Sequence, residues 1–216
     1  MVKRMSGQTV VVNLPSVSVT GIVLAGGASR RMGRNKALLP MGEASMIERA
    51  VQAIGKVSSR VIISTNDPKS YHFLGVECVL DIHAGKGPMA GLYAALGASN
   101  TPWNVVAACD MPFIHEQFLQ GLLNLAITKD TVEAVIPVVQ GRMHPLLAVY
   151  RREVMTSLER KLQAEQYRMV EWVEELKAVY VNEEQLEHMT GLDPRKVLFN
   201  MNTPDDYETA RGISSS

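Results

Sequence analysis

Five short segments of this chain carry residues whose types and spacing suit chemistry. The densest is Leu24-Ala25-Gly26-Gly27-Ala28-Ser29-Arg30-Arg31-Met32-Gly33-Arg34-Asn35-Lys36, directly after an apolar run. Glycines here let the backbone turn sharply and present N–H groups to phosphate oxygens. Arg31 and Lys36 add mobile positive charge, as a polyphosphate demands. The spacing is neither G-x-x-x-x-G-K-[ST] nor G-x-G-x-x-G, which separates the loop from Walker-type sites and from dinucleotide oxidoreductases. An ordinary β–α turn with solvated arginines has no need of both Gly26 and Gly27 together with Arg30, Arg31, Arg34 and Lys36.

Asp110 is the second anchor, in Ala108-Cys109-Asp110-Met111-Pro112-Phe113. It follows a buried-looking strand, at the end where open α/β sheets place their ligands. A carboxylate there can hold Mg²⁺, which bridges phosphate oxygens; the other reading is an Asp capping a turn. Asp81 precedes a third element, Gly85-Lys86-Gly87-Pro88-Met89-Ala90-Gly91. Its glycines permit close backbone approach, and the following helix start can meet an anion or a base edge. Asp81 reads equally well as a surface cap. The fourth segment, Gly141-Arg142-Met143-His144-Pro145-Leu146, has no second histidine or cysteine at ligand spacing, so His144 is not a zinc ligand. A structural turn histidine and a substrate contact both stay open. The fifth, Asn200-Met201-Asn202-Thr203-Pro204, presents two amides just before a helix that Thr203 can cap.

The elements that must position these residues alternate between apolar β-branched runs and helix-period segments, the pattern of an α/β protein with a mostly parallel sheet. Strands are expected at 17–24, at 60–64, around Cys78, and at 103–108, 134–139, 146–150 and 178–181. Helices are expected at about 45–57, 89–98 and 115–127, and again where Val154, Leu158 and Leu162 recur at four-residue spacing. A polar helix follows 178–181, 197–201 reads as extended, and a final helix begins after Thr203. With no internal repeat or linker, one domain is expected over 17–211, preceded by an arm or extra strand at 1–16 and followed by a frayed tail at 212–216.

Bulk properties exclude several classes. Lys and Arg number 22 and Asp and Glu 22, so no net charge draws the chain to nucleic acid or an anionic membrane. No apolar run approaches the roughly 20 residues of a membrane helix, and Val10–Val12 is too short for a signal-peptide core. Cys78 and Cys109 form no metal or disulfide pattern and read as small buried side chains in a reducing compartment. A cytoplasmic protein is expected.

The string LAGGASRRMGRNKALLP resembles the signature of the GlmU- and MobA-like nucleotidyltransferase superfamily. Together with GPMAGL, ACDMPF, HPLLAVY and NMNTPDD, in that order, it is similar to the molybdenum cofactor guanylyltransferases, in blocks from about Gly21 to Tyr207. The resemblance implies a three-layer α/β/α, Rossmann-like fold and transfer of GMP from GTP to the pterin cofactor, with Mg²⁺ and release of pyrophosphate. It implies a nucleotide site of Leu24, Ala25, Gly26, Gly27, Lys36, Asn66, Asp81, Gly87, Pro88, Gly91 and Asp110, with Arg31, Lys36 and Asp110 catalytic and Asp110 on the metal. Arg142, His144, Asn200 and Asn202 fall on the acceptor side, and the two asparagines face the phosphates and metal. Guanine rests on the resemblance, because LAGG accompanies guanylyl transfer and LAAG other bases. A cytidylyl- or sugar-phosphate nucleotidyltransferase of the same fold and a non-catalytic nucleotide-binding module are the rival expectations. Protein partners in cofactor biosynthesis or molybdoenzyme maturation, and a monomer or weak homo-oligomer, complete the picture. One departure stands out. The family usually has aspartate where this chain has Asn35, directly before Lys36.

Overall fold

The computed structural model describes residues 17–26, 35–81 and 85–214. Strand β1 (Val19–Leu24) precedes a 3-10 turn (Lys36–Leu38), a small hairpin of β2 (Pro40–Met41) and β3 (Ala44–Ser45), and α1 (Met46–Gly55). Then come β4 (Arg60–Ser64), a 3-10 segment (Pro68–Leu74), β5 (Glu77–Val79), α2 (Pro88–Ala98), β6 (Trp103–Ala108) and α3 (Glu116–Ile127). The remainder is β7 (Ala134–Val139), β8 (Arg142–Met143), β9 (Leu147–Arg151), α4 (Met155–Gln163), α5 (Met169–Glu174), β10 (Ala178–Val181), α6 (Glu183–Thr190), α7 (Pro194–Val197) and α8 (Pro204–Ser214).

The main sheet runs β10-β7-β9-β6-β1-β4-β5, with β8 paired to β7. Its pairs are parallel except that β9 opposes both neighbours and β8 closes a hairpin. Every residue of β1 and β6 is buried, the condition under which strands lose polar alternation and become continuous apolar runs. Successive side chains leave a strand on opposite faces. Val23, Ile63, Val105 and Val149 therefore join α1 and α3 in one core layer, with Ile47, Ile54, Phe118 and Leu122. Ile22, Ile62, Val106 and Ala148 face α2, α4 and α5, with Met89, Leu92, Leu158 and Trp172. The expected stripe of Val154, Leu158 and Leu162 lies in this second layer. Helices on both faces of one sheet make the three-layer α/β architecture.

Several elements differ from expectation. Residues 197–201 are not wholly extended. Val197 ends α7, which starts on the side chain of Asp193 accepting from the Arg195 amide, with Pro194 at the first helical position. That cap-and-proline signal overrides the apolar run after it. Helix α8 continues through Ser214, past the boundary at 211 expected for a frayed tail. The expected arm at 1–16 lies outside the described residues. Both cysteines are free and half-buried against the first core layer, and no helix of the described residues is long and apolar enough to cross a membrane.

Candidate active site

The sheet order changes direction at β1. From it the chain goes to β4 on one side and later returns to β6 on the other, in parallel register with Leu24 beside Ala108. Such a switch point opens a crevice at the carboxyl ends of the strands. The backbone there is closely stitched. Ala25 N donates to Ser64 O at 2.9 Å, and Cys109 N donates to Leu24 O at 3.1 Å. Gly26 is exposed, and a Cβ on it would meet nothing within 4 Å. Gly27 and Arg31 lie outside the described residues.

Lys36 returns to this crevice on the 3-10 turn. Its Nζ donates to Asn202 O at 2.6 Å and Met201 O at 3.4 Å. Met201 N in turn donates to the Asp110 backbone carbonyl at 3.0 Å. The strip Asn200–Asn202 is thus clamped between Lys36 and the Asp110 corner. It is also seated on a small apolar nucleus in which Met201 meets Met41, Met46 and Ala210. Asp110 Oδ1 and Asn200 Oδ1 are both buried with no hydrogen-bond partner. Burial pushes the Asp110 carboxyl above its ordinary value, against a backbone hydrogen bond and the Lys36 charge. Orphaned hard oxygens beside a costly buried charge are what a divalent cation would satisfy. Among the described residues no group of three or more His, Cys, Asp or Glu could hold a metal. A cation here would therefore take Asp110 and neutral oxygens, completed by phosphate and water, in the manner of Mg²⁺.

Asn202 is exposed, and its amide N–H donates to Asp206 Oδ2 at 2.8 Å, as does that of Thr203 at 2.7 Å. Thr203 Oγ1 accepts from Asp206 N at 3.2 Å, a reciprocal cap that fixes the strip to α8. These bonds hold the Asp206 carboxyl below its ordinary value.

Parallel pairing brings the ends of β4 and β5 to the same edge, and with them exposed Asn66 and half-buried Asp81. Gly87, with φ of 75°, caps α2 and Pro88 begins it. Gly91 lets α2 lie against the end of β4, since a Cβ would come 2.7 Å from Ser64 Oγ. Gly91 therefore positions the helix start by close packing. Lys86 crosses from this loop to the α4–α5 connection, hydrogen-bonded to Tyr167 Oη and 3.6 Å from Glu165.

Arg142 and His144 leave the end of β7 at the same edge. The corner joins the site through Leu146 O, which accepts from Ala108 N at 2.8 Å, and Tyr150 Oη braces it from below by donating to Pro145 O at 2.7 Å. Arg142 is exposed, and His144 is half-buried, its imidazole held below the ordinary histidine value by burial and then by Arg142. All the expected site residues that are described gather on one edge, in three groups: the loop and α2 start, the Lys36–Asp110 clamp, and the Arg142–His144 corner.

Sequence reading missed Arg49. Its Nε donates to Pro112 O at 3.1 Å and its Nη1 to Met41 O at 3.3 Å, tying the loop after Asp110 to β2. The available signal was a cation three residues after Met46 and four before Ala53, on the buried stripe of α1.

An open, mostly parallel sheet whose switch point gathers a lysine turn, a buried carboxylate and amide-rich strips is the arrangement of a nucleotidyltransferase. Comparison with known proteins agrees. The sequence profile of the MobA-like NTP transferase domain matches residues 21–207. A "Probable molybdenum cofactor guanylyltransferase" of Pelotomaculum thermopropionicum is 34% identical over 200 residues, covering 93% of this chain and 95% of its own. One from Carboxydothermus hydrogenoformans is 31% identical, covering 92% and 98%. The crystal structure of molybdopterin-guanine dinucleotide biosynthesis protein A from Archaeoglobus fulgidus superposes with a TM-score of 0.77 at 30% identity, covering 91% and 98%. The chain belongs to the MobA-like NTP transferase family and is a nucleotidyltransferase.

Proposed function

We propose that the chain transfers GMP from GTP to the molybdopterin-bound molybdenum cofactor, in the cytoplasm, releasing pyrophosphate. A terminal phosphate oxygen of the pterin attacks the α-phosphorus of GTP. A new P–O bond forms as the α–β bridging bond breaks, and its electron pair leaves with pyrophosphate. The nucleophile is already anionic, so no general-base triad is required. The observation that carries the reading is the Lys36–Asn202–Asp110 clamp, in which the Lys36 ammonium and the Asp110 backbone carbonyl grip one strip and the Asp110 carboxyl lies near enough to feel the Lys36 charge. Lys36, with Arg31 and the amides of Gly26 and Gly27, would hold the β- and γ-phosphates beside Leu24 and Ala25. Asn66, Asp81, Gly87 and Pro88 would bound the nucleoside, and Arg142 and His144 would meet the acceptor phosphate. Asp110, with Asn200 beside it, would hold Mg²⁺, which supplies charge neutralisation at the phosphates when bound. The chain's own contribution is positioning and preorganised charge.

Removing one such preorganised group costs on the order of 10²–10³ in rate. Lys36→Ala and Asp110→Ala are each expected to lower GTP- and pterin-dependent pyrophosphate release by about that factor. Near-normal turnover in a folded variant would sink the site. Calorimetry against GTP, CTP, ATP and UTP with Mg²⁺ tests the base, and tight CTP with weak GTP would assign a cytidylyl transferase instead.

A further inference from the structure

Lys36 sits on a single 3-10 turn of three residues, an element too short to hold its own shape. What steadies it comes from elsewhere. Asn35 Oδ1 accepts from Ala37 N at 3.1 Å, capping the turn. That bond fixes the orientation of the side-chain amide, so Nδ2 donates to Tyr71 Oη at 2.9 Å, and the same hydroxyl lies 3.3 Å from Oδ1, to which it can donate. Tyr71 lies on the Pro68–Leu74 segment, 36 residues away in sequence, and is 1% exposed, packed in the core layer that holds Ala37 and borders Cys109. Burial keeps its phenol above the ordinary tyrosine value, hence neutral.

We propose that Asn35 and Tyr71 are positioning residues for nucleotidyl transfer, a polar peg and socket that fixes the Lys36 turn to the core so that its ammonium meets the Asn200–Asn202 strip beside Asp110. The inference rests on Lys36 acting on the polyphosphate. It also accounts for the asparagine where the family usually has aspartate. An aspartate would keep the cap through one oxygen and accept from the Tyr71 hydroxyl through the other, but would place a negative charge beside a site built for phosphates. Asparagine makes the same two contacts with no charge.

The test uses the full chain with Asn35→Ala, Tyr71→Phe, the double variant and Asn35→Asp, followed by pyrophosphate release with GTP and molybdopterin. A misplacement of about 1 Å costs up to about 100-fold. Asn35→Ala, which loses cap and peg, should therefore lower kcat by about 10–100-fold, and Tyr71→Phe by about 10-fold or less. The double variant should be no worse than Asn35→Ala within about twofold, because residues acting through one bond are not additive. Asn35→Asp should recover most of the lost kcat while raising the KM for GTP about threefold through repulsion across the site. Unchanged turnover in Asn35→Ala and Tyr71→Phe, or losses that multiply in the double variant, would overturn the proposal. A second measurement is independent of activity. Hydrogen exchange at the Ala37 amide should quicken in Tyr71→Phe at unchanged global stability, and unchanged exchange overturns the peg. A wild-type chain that releases no pyrophosphate with any NTP would sink the functional reading alone, leaving the exchange result to decide this one.

Discussion

The Asp110 corner and the Lys36 turn grip the same strip, yet they are built in opposite ways. Asp110 lies two residues beyond β6, whose six residues are all buried and whose neighbours on both sides are paired strands. Its position is a by-product of the core. Lys36 occupies a three-residue turn that borrows its rigidity from Asn35, from Tyr71 and from the carbonyls of Met201 and Asn202. One charge is held by packing and the other by directed hydrogen bonds. A buried carboxylate needs a fixed height to meet a cation, whereas a lysine on a long stem reaches its target through a tether and keeps rotamer freedom. The strip between them reads both.

The largest expected effect separates the two designs by conservative exchange. Asp110→Glu adds a methylene to a packed corner, so stability should fall by about 1–3 kcal/mol. Turnover should fall with it, by on the order of 10²–10³. Lys36→Arg should lose turnover as well, because a planar fork does not replace a point charge, while its thermal midpoint stays near wild type. Denaturation curves and initial rates on both variants decide it. Equal loss of stability in the two would break the contrast.

Arg49 sharpens the comparison, since one guanidinium grips both regions. It donates to Pro112 O in the Asp110 loop and to Met41 O in the hairpin after Lys36. Hydrogen bonds to charged groups contribute roughly 1.5–3 kcal/mol. Arg49→Ala should cost about that much by urea titration, and its local hydrogen exchange should rise at Leu39–Met41 while β6 stays protected. Exchange that rises equally in both places would show that the hairpin is no looser than the strand.

How much of this was legible beforehand follows the same division. Strands β4, β6, β7 and β10 stood in the chain at their observed limits, because each is a short run dominated by apolar and β-branched residues, even at the sheet edge where Tyr180 of β10 is exposed. The two-residue strands β2, β3 and β8 and the short helices α5 and α7 carry no period to read. The extended reading of 197–201 failed at its first residue, because the cap at Asp193 and the proline at 194 start a helix that runs through Val197. In the site, Asp110 and Lys36 were visible as residue types after strands. Asn200 and Asn202 were visible through the family pattern. Tyr71 and Arg49 were not, since Tyr71 meets Asn35 across 36 residues and Arg49 reaches Pro112 across 63, and nothing local marks either partner. The Asn35 substitution was legible as a departure, but its reason lies in Tyr71.

The smallest effect concerns pH and the apo protein. Burial raises the Asp110 carboxyl above its ordinary value, so in the carboxylate range the folded chain binds its proton before the unfolded chain does. Stability rises with pH only where the unfolded state binds more protons. Here the order is reversed: with divalent cations chelated, the contribution of Asp110 to stability falls as pH rises from the unfolded value through the folded one, and it stays low at neutral pH. Asp110→Asn removes that ionisation. Its midpoint at neutral pH should exceed that of the wild type, by roughly 2–4 °C for each kcal/mol relieved in a chain of this length. The difference should shrink as pH is lowered below the ordinary carboxylate range. Adding Mg²⁺ should then raise the midpoint of the wild type and leave that of Asp110→Asn in place. A wild type more stable than Asp110→Asn under chelation would mean that the backbone hydrogen bond and the Lys36 charge outweigh burial at this carboxyl, and no cation would be needed to offset the cost of its charge.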